Sequence, residues 1–260
     1  MFNEYFINVG RTLANKIVST VNPMSYISSN MHSIFIPSIS EDEVLHAISL
    51  LNNAAPGYDG LQARIMKQIV HVYVRPLTYL INMSLTQGIF PEELKLAKVI
   101  PIYKSEDEQL LQNYRPISVL PFFSKIYEKI MYKYVVNFLD INNILYHNQF
   151  GFRSSHSTNH AIITLVDKVA KALDTGKIVV GVFLDLKKAF DTVDHSILLE
   201  KLYTHGLRGN IYKWFKSYLS NRKQFVAYNG KESTKKYVTH GVPQGSVLGP
   251  LLFIIYMNDF

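Results

Sequence analysis

Val179-Val-Gly-Val-Phe-Leu-Asp185-Leu-Lys-Lys-Ala-Phe190-Asp191 delivers a carboxylate at the end of an apolar run, with a bulky aromatic five residues later. Ile178 to Leu184, entered through Gly176, reads as a buried strand that ends at Asp185. A carboxylate just beyond such a strand projects into a cleft instead of being neutralised in the core. That placement suits metal-dependent nucleotide chemistry, which clamps two cations roughly 3.5–4 Å apart between several acidic ligands. One aspartate does not complete such a set, so partners must lie elsewhere. An Asp after a strand also commonly caps the next helix. Asp191, Asp194 and His195 fit that structural role better than a ligand role.

Gly241-Val-Pro-Gln-Gly-Ser-Val-Leu-Gly-Pro250 is a second dense cluster. Its two prolines and three glycines fix an unusual backbone path and present Gln244 beside a residue with no side chain, where a base pair or sugar can approach closely. The glycines alone would suit a strand-to-helix connection, and the Gln-Gly pair is the more specific feature. Upstream, Lys104 and Arg115 bracket the polar loop Ser105 to Asn113. The extended pieces Lys98 to Lys104 and Tyr114 to Pro121 put them on neighbouring strands. A lysine and an arginine so placed form a clamp for a triphosphate and stabilise developing pyrophosphate.

The remaining pattern mixes helices with scattered strands. Ser40 and Glu43 make a capping-box pattern ahead of Val44, Ala47, Ile48 and Leu51 on one face. Asn52 to Gly60 breaks that helix, and a long helical pattern runs from Gln62 to Thr86, ahead of Gly88 and Pro91. From Ser124 to Asp140 a helix carries Ile126, Ile130, Tyr134 and Phe138 at four-residue spacing, with Lys125, Lys129 and Lys133 read as a solvated row. Thr158 to Leu173, Ser196 to Tyr203 and Tyr212 to Leu219 are helical. Gln224 to Tyr228 and Tyr237 to His240 read as a hairpin around Asn229-Gly230. Residues 1–40 read as an N-terminal connector with a Ser/Asn/Pro stretch at 22–30. Without a regular βαβ alternation, the pattern predicts an α+β fold.

Composition narrows the class of partner. With 260 residues, 48% of them hydrophobic, the chain can bury a real core. Lys and Arg total 27 against 20 Asp and Glu, a formal charge of +7 and a pI near 9.3, which favours polyanions such as nucleic acid. The absence of cysteine excludes disulfides and thiolate zinc sites. Met1-Phe-Asn-Glu-Tyr-Phe6 is not a secretory signal. No apolar run reaches the ~18–20 residues that span a bilayer, so no membrane partner is expected. Ile178 to Leu184 and Leu251 to Met257 read as buried core.

The order of these pieces resembles the reverse transcriptases of non-LTR (LINE-type) retrotransposons. The matching segments are Ala55-Pro-Gly-Tyr-Asp-Gly60, Val99-Ile-Pro-Ile-Tyr-Lys104, Asn113-Tyr-Arg-Pro-Ile-Ser118, Gln149-Phe-Gly-Phe-Arg153, Phe183 to Asp191 and Gly241-Val-Pro-Gln-Gly-Ser246. Phe2-Asn-Glu-Tyr-Phe-Ile-Asn-Val-Gly10 is similar to the segment before the polymerase in these elements. The resemblance implies a right-hand polymerase, with fingers over residues 41–175 and palm over residues 176–260, the reverse transcriptase domain proper covering roughly 85–260. It implies an RNA-directed DNA polymerase that uses Mg²⁺ or Mn²⁺, an RNA template, a DNA primer and dNTP. Asp185 and the Leu186 carbonyl would hold the metals. Lys104, Arg115 and the backbone N–H groups of Lys188 and Ala189 would face the triphosphate. Phe190 would be the steric gate against a ribose 2′-OH, and Gln244 and Gly245 would line the pocket around the nascent base pair.

The family's next element is a hairpin of the form aromatic-x-Asp-Asp, which carries the other catalytic carboxylates. Tyr256-Met-Asn-Asp259-Phe260 matches the segment just before it, so Asp259 is not expected to be catalytic. The palm is therefore expected to be incomplete, the thumb absent and the chain inactive alone. Apolar surface should be uncovered on Ile178 to Leu184 and on Leu251 to Met257. The alternatives are a non-catalytic nucleic-acid-binding remnant and a fragment of a group II intron-type maturase. Lys188-Ala-Phe-Asp-Thr-Val-Asp-His195 and the Phe2 to Gly10 segment favour the LINE-type resemblance over the maturase.

Overall fold

The computed structural model describes residues 1–16, 24, 27 and 29–259. Most of the connector stretch at 22–30, and residue 260, lie outside the described residues. The helices are α1 (Phe2–Ala14), α2 (Glu41–Ser49), α3 (Ala63–Gln68), α4 (Val70–Gln87), α5 (Phe122–Ile141), α6 (Thr158–Asp174), α7 (His195–Thr204), α8 (Gly209–Leu219) and α9 (Gly249–Tyr256). The strands are β1 (Leu96–Tyr103), β2 (Tyr114–Val119), β3 (Lys223–Tyr228), β4 (Lys231–Glu232) and β5 (Lys236–Tyr237). This mixture agrees with the α+β expectation.

Local chemistry accounts for several boundaries. Ser40 Oγ accepts from the Glu43 N–H and the Glu43 carboxylate accepts from the Ser40 N–H, both at 3.2 Å, so the capping box starts α2 as expected. The single helix expected from Gln62 is instead two, α3 and α4, separated at Ile69 with φ −103° and ψ 18°. Asn229 and Gly230 both take positive φ, 49° and 72°, the geometry a two-residue hairpin turn requires. The turn forms, but the return arm differs from the expected Tyr237 to His240: it comes in two pieces, β4 and β5, both antiparallel to β3, and only Tyr237 of the expected arm lies in a strand. In the sheet, β1 lies antiparallel to β2 and parallel to β3.

The main core gathers the buried faces of α2, α4, α5, α7, α8 and α9. Phe90 is fully buried and ringed edge-on by Tyr127, Trp214 and Tyr218, at centroid distances of 5.9, 5.2 and 5.1 Å. Ile126, Ile130, Met131, Val135 and Leu139 form the buried face of α5. The lysine row opposite is not simply solvated. Lys133 pairs with Glu43 at 2.7 Å, and burial pushes the half-buried Lys125 ammonium below its ordinary pKa.

Residues 1–40 contain more order than a connector implies. Within α1, Phe2 packs on Tyr114 and Tyr228, Asn3 Nδ2 donates to the Thr234 carbonyl at 2.8 Å, and Glu4 pairs with Lys236. The helix thus rests on the sheet.

The buried strand expected at Ile178 to Leu184 does not form. Residues 177–186 form no helix or strand and have no ladder partner among the described residues, and Ile178, Val180 and Phe183 are 93%, 82% and 88% exposed. A strand is stable only against a neighbour that takes its N–H and C=O groups, and no edge is offered here. The preceding α6 forms as expected on the Ser157 cap, yet none of its residues is buried. The expectation of uncovered apolar surface therefore holds for this segment. It fails for Leu251 to Met257, because α9 buries Leu251, Leu252, Ile254 and Ile255 among the core helices. Among the described residues, no helix is long and apolar enough to cross a membrane.

Candidate active site

The β1–β2 hairpin carries the two cations picked out from the sequence. Arg115 lies on β2 opposite Ile102, and Lys104 follows β1 with its N–H donating to the Asn113 carbonyl at 2.9 Å. Both side chains are exposed. A third cation joins them: the Lys188 ammonium donates to the carbonyls of Gln112 at 3.1 Å and Tyr114 at 3.4 Å. Desolvation lowers its pKa, Asp191 opposes that shift, and the charges of Lys104, Lys187 and Arg115 lower it further. The hairpin and the turn after Asp185 thus share one concentration of positive charge.

Lys188 takes a left-handed backbone with φ 55° and opens a 3₁₀ turn, Ala189–Asp191. Phe190, on this turn, stacks on Phe253 of α9 at 4.8 Å and meets the edge of Phe152 at 5.8 Å. Its carbonyl accepts from the Val242 N–H at 2.9 Å, while the Gly241 N–H donates to the Val193 carbonyl at 2.8 Å. Gly241 must be glycine on two counts: φ is 83°, and a Cβ would stand 2.9 Å from Asp191 Cα. Gly245 is fixed similarly, with φ 115° and a hypothetical Cβ 2.6 Å from the Ser118 carbonyl oxygen. The Ser118 N–H donates to the Gln244 carbonyl at 2.7 Å, so the Gln-Gly turn is tied to β2.

Asp194 caps α7 as expected, its Oδ1 accepting from the N–H groups of Ser196 at 2.8 Å and Ile197 at 3.1 Å. Burial raises its pKa, but the Ser196 hydroxyl and these two amides outweigh that and hold the carboxyl below its ordinary value. The His195 ring is structural too, with Nε2 2.7 Å from the Gly241 carbonyl oxygen. Asp191 is different, because it caps nothing. Its Oδ1 accepts from Gln244 Nε2 at 2.8 Å, and burial pushes its pKa up.

Asp185 and Leu186 lie on the exposed run without secondary structure and make no side-chain hydrogen bond among the described residues. No three His, Cys, Asp or Glu side chains cluster to hold a metal ion among the described residues. Mg²⁺ requires near-octahedral oxygen coordination, and a two-metal centre needs several carboxylates. One carboxylate and one carbonyl do not fit that demand.

The model of the family described as reverse transcriptase (RNA-dependent DNA polymerase) matches residues 102–260. The chain belongs to the reverse transcriptase family. It is 34% identical over 209 residues to a probable RNA-directed DNA polymerase from transposon X-element of Drosophila melanogaster, which covers 80% of this chain and 23% of that protein. It is 33% identical over 229 residues to the RNA-directed DNA polymerase from mobile element jockey of the same species, covering 87% and 25% respectively. A putative 115 kDa protein in type-1 retrotransposable element R1DM, also from that fly, is 30% identical over 225 residues. These relatives agree with the LINE-type resemblance. The chain spans about a quarter of the length of the first two.

Within this reverse transcriptase domain, reading the motifs one by one left three features unseen. The Lys188 side chain reaches back to the hairpin, Asp191 faces Gln244, and Glu128 of α5 holds the loop before α9. The Glu128 Oε2 accepts from the N–H groups of Val247 at 2.6 Å and Leu248 at 3.3 Å. The only hint of the last was an acidic residue on the apolar side of α5.

Proposed function

We propose that this chain supplies part of the RNA-directed DNA polymerase of a non-LTR retrotransposon, transferring a nucleotide from dNTP to a DNA primer 3′-OH on an RNA template. Residues 41–175 would be fingers and residues 176–260 palm. The observation that carries the reading is the convergence of Lys104, Arg115 and Lys188 beside the turn bearing Phe190 and the loop bearing Gln244. Lys104, Arg115 and the Lys188–Ala189 backbone would bind the triphosphate and offset charge on the leaving pyrophosphate. Phe190, braced by Phe253 and Phe152, would lie under the sugar and reject a 2′-OH. Gln244 and Gly245 would border the nascent base pair. The +7 net charge would favour salt-sensitive contacts with the template–primer backbone.

A divalent cation would neutralise phosphate charge in such a reaction. Among the described residues this chain would offer it the Asp185 carboxylate and the Leu186 carbonyl, too few ligands to hold it. A chain so equipped should bind substrates without turning them over. The lack of an acidic cluster among the described residues also favours a second reading, a nucleic-acid-binding remnant without nucleotide chemistry.

Binding of a fluorescent RNA–DNA hybrid across a salt series, photo-crosslinking of an azido-dNTP, and primer extension on a homopolymer template with Mg²⁺ or Mn²⁺ separate these readings. The polymerase reading expects salt-dependent hybrid binding and crosslinking, with no extension. Hybrid binding without crosslinking selects the remnant. Extension that disappears in Asp185→Ala overturns the expected inactivity, and no hybrid binding even at low salt overturns both readings.

A further inference from the structure

Gln244 is held at two points that belong to different parts of the fold. Its backbone carbonyl accepts from Ser118 on β2, and its side chain reaches Asp191 on the turn that carries Phe190. An ionised carboxylate only accepts, and Asp191 takes its hydrogen bond from the NH₂ end of the amide. The amide oxygen is thereby turned away. It has no hydrogen-bond partner among the described residues, and Gln244 is only partly buried, which leaves that acceptor unspent.

Asp191 is itself locked in place. A Cβ on Gly10 of α1 would sit 2.0 Å from its carbonyl oxygen, and one on Gly241 would sit 2.9 Å from its Cα. Its second oxygen, Oδ2, is buried without a partner among the described residues. A half-satisfied buried carboxylate costs stability, and a cost that persists calls for an explanation. Helix α1 packs over the Asp191 backbone at Gly10, and Lys188 is the opposing charge that acts on the carboxylate.

We propose that Asp191 is a positioning residue that selects the acceptor face of Gln244, so the site recognises a nucleotide through a hydrogen-bond donor on the sugar or base. This rests on the nucleotide-site reading above. Flipping the amide would set its oxygen against a carboxylate, so Asp191 fixes the polarity of the pocket without touching the ligand. The Gly10 contact makes α1 a part of that device.

The test is a reciprocal swap read by binding of a fluorescent dATP analogue, with unfolding midpoints recorded for each variant. Asp191→Asn frees the amide to flip and should weaken binding about tenfold, the loss of one oriented hydrogen bond. Gln244→Glu sets two carboxylates face to face and should weaken it at least as much. The double variant restores a donor on residue 191 and an acceptor on residue 244, and should recover to within about threefold of the unmutated chain. A purely structural role predicts losses that follow the unfolding midpoints and no recovery. Unchanged single variants, or a double variant no better than the weaker single, overturn the proposal and leave the nucleotide-site reading standing. Failure of the unmutated chain to bind the analogue overturns that reading and this proposal together. Should Asp191→Asn not fold, the Gln244 side-chain amide resonances of the unmutated chain decide: a downfield, exchange-protected proton supports the bond, and solvent-like shifts overturn it.

Discussion

The Tyr218 hydroxyl donates to Glu128 Oε1 at 3.1 Å inside the core, while the other oxygen of the same carboxylate takes the N–H groups of Val247 and Leu248. One buried side chain thus joins α5, α8 and the loop that carries Gln244. Burial pushes the Glu128 pKa above its ordinary 4.5, outweighing Arg222 and the donated hydrogen bonds. A protonated Glu128 still fits, because its O–H can serve Tyr218 while its C=O serves the loop.

The pH dependence follows from that shift. Above pH 4.5 the folded chain keeps a proton at Glu128 that the unfolded chain has lost, so stability falls as pH rises through the folded-state pKa. Glu128→Gln keeps one acceptor and one donor and should flatten this slope. Glu128→Ala leaves the loop amides without an acceptor and should cost roughly 3 kcal/mol. The single tryptophan, Trp214, stacks on Tyr218 with planes 3° apart, so its fluorescence in urea titrations at several pH values reads all three proteins. An identical slope in the Gln variant would exclude Glu128 as its source.

Phe90 gives a sharper packing prediction. Its ring lies at the meeting point of three aromatics, and Ser84 ties the strand entry by donating to the Ile89 carbonyl at 2.5 Å while accepting from the Trp214 indole at 3.0 Å. Phe90→Ala should destabilise by roughly 3–5 kcal/mol, whereas Phe90→Leu should lose much less. Chemical denaturation of the two variants checks the difference, and similar losses would mean that the site collapses around either one.

What the sequence disclosed depended on range. The Ser40–Glu43 box and the Asn229-Gly230 turn are written in adjacent residues, and both formed. Ile178 to Leu184 looked like a strand by the same local reasoning, but a strand needs a partner edge, and no local pattern reports whether one exists. The motif segments were legible by resemblance. Their linkage was not, since Asp191 and Gln244 are 53 positions apart and Glu128 and Val247 are 119 apart. Such pairs are set by packing, which no single-chain periodicity encodes.

The exposed arm predicts solution behaviour. Val180 and Val182 are 82% and 78% exposed on a run with no strand partner among the described residues, an apolar surface of the kind that invites association between chains. Val180→Lys combined with Val182→Lys should reduce self-association in sedimentation velocity while moving the unfolding free energy by no more than about 0.5 kcal/mol. A loss above 1 kcal/mol would show that the arm is packed against the rest of the chain in solution.

Lys104 and Arg115 separate binding from folding more cleanly. Both are exposed, and Arg115 faces away from the buried side of β2, where Tyr114, Pro116 and Ser118 point inward. Removing either charge should leave stability within about 0.5 kcal/mol. Removing a charge that contacts phosphate forfeits a charge-assisted hydrogen bond, so Lys104→Ala and Arg115→Ala should each weaken dNTP crosslinking about tenfold. Arg115→Lys should recover only part of the loss, because an ammonium cannot make the bidentate contact of a guanidinium. The effect should shrink as salt rises from 50 to about 200 mM if the contact is electrostatic. Crosslinking that is unchanged in both alanine variants at low salt would remove the hairpin from the triphosphate site and leave Lys188 as its remaining anchor.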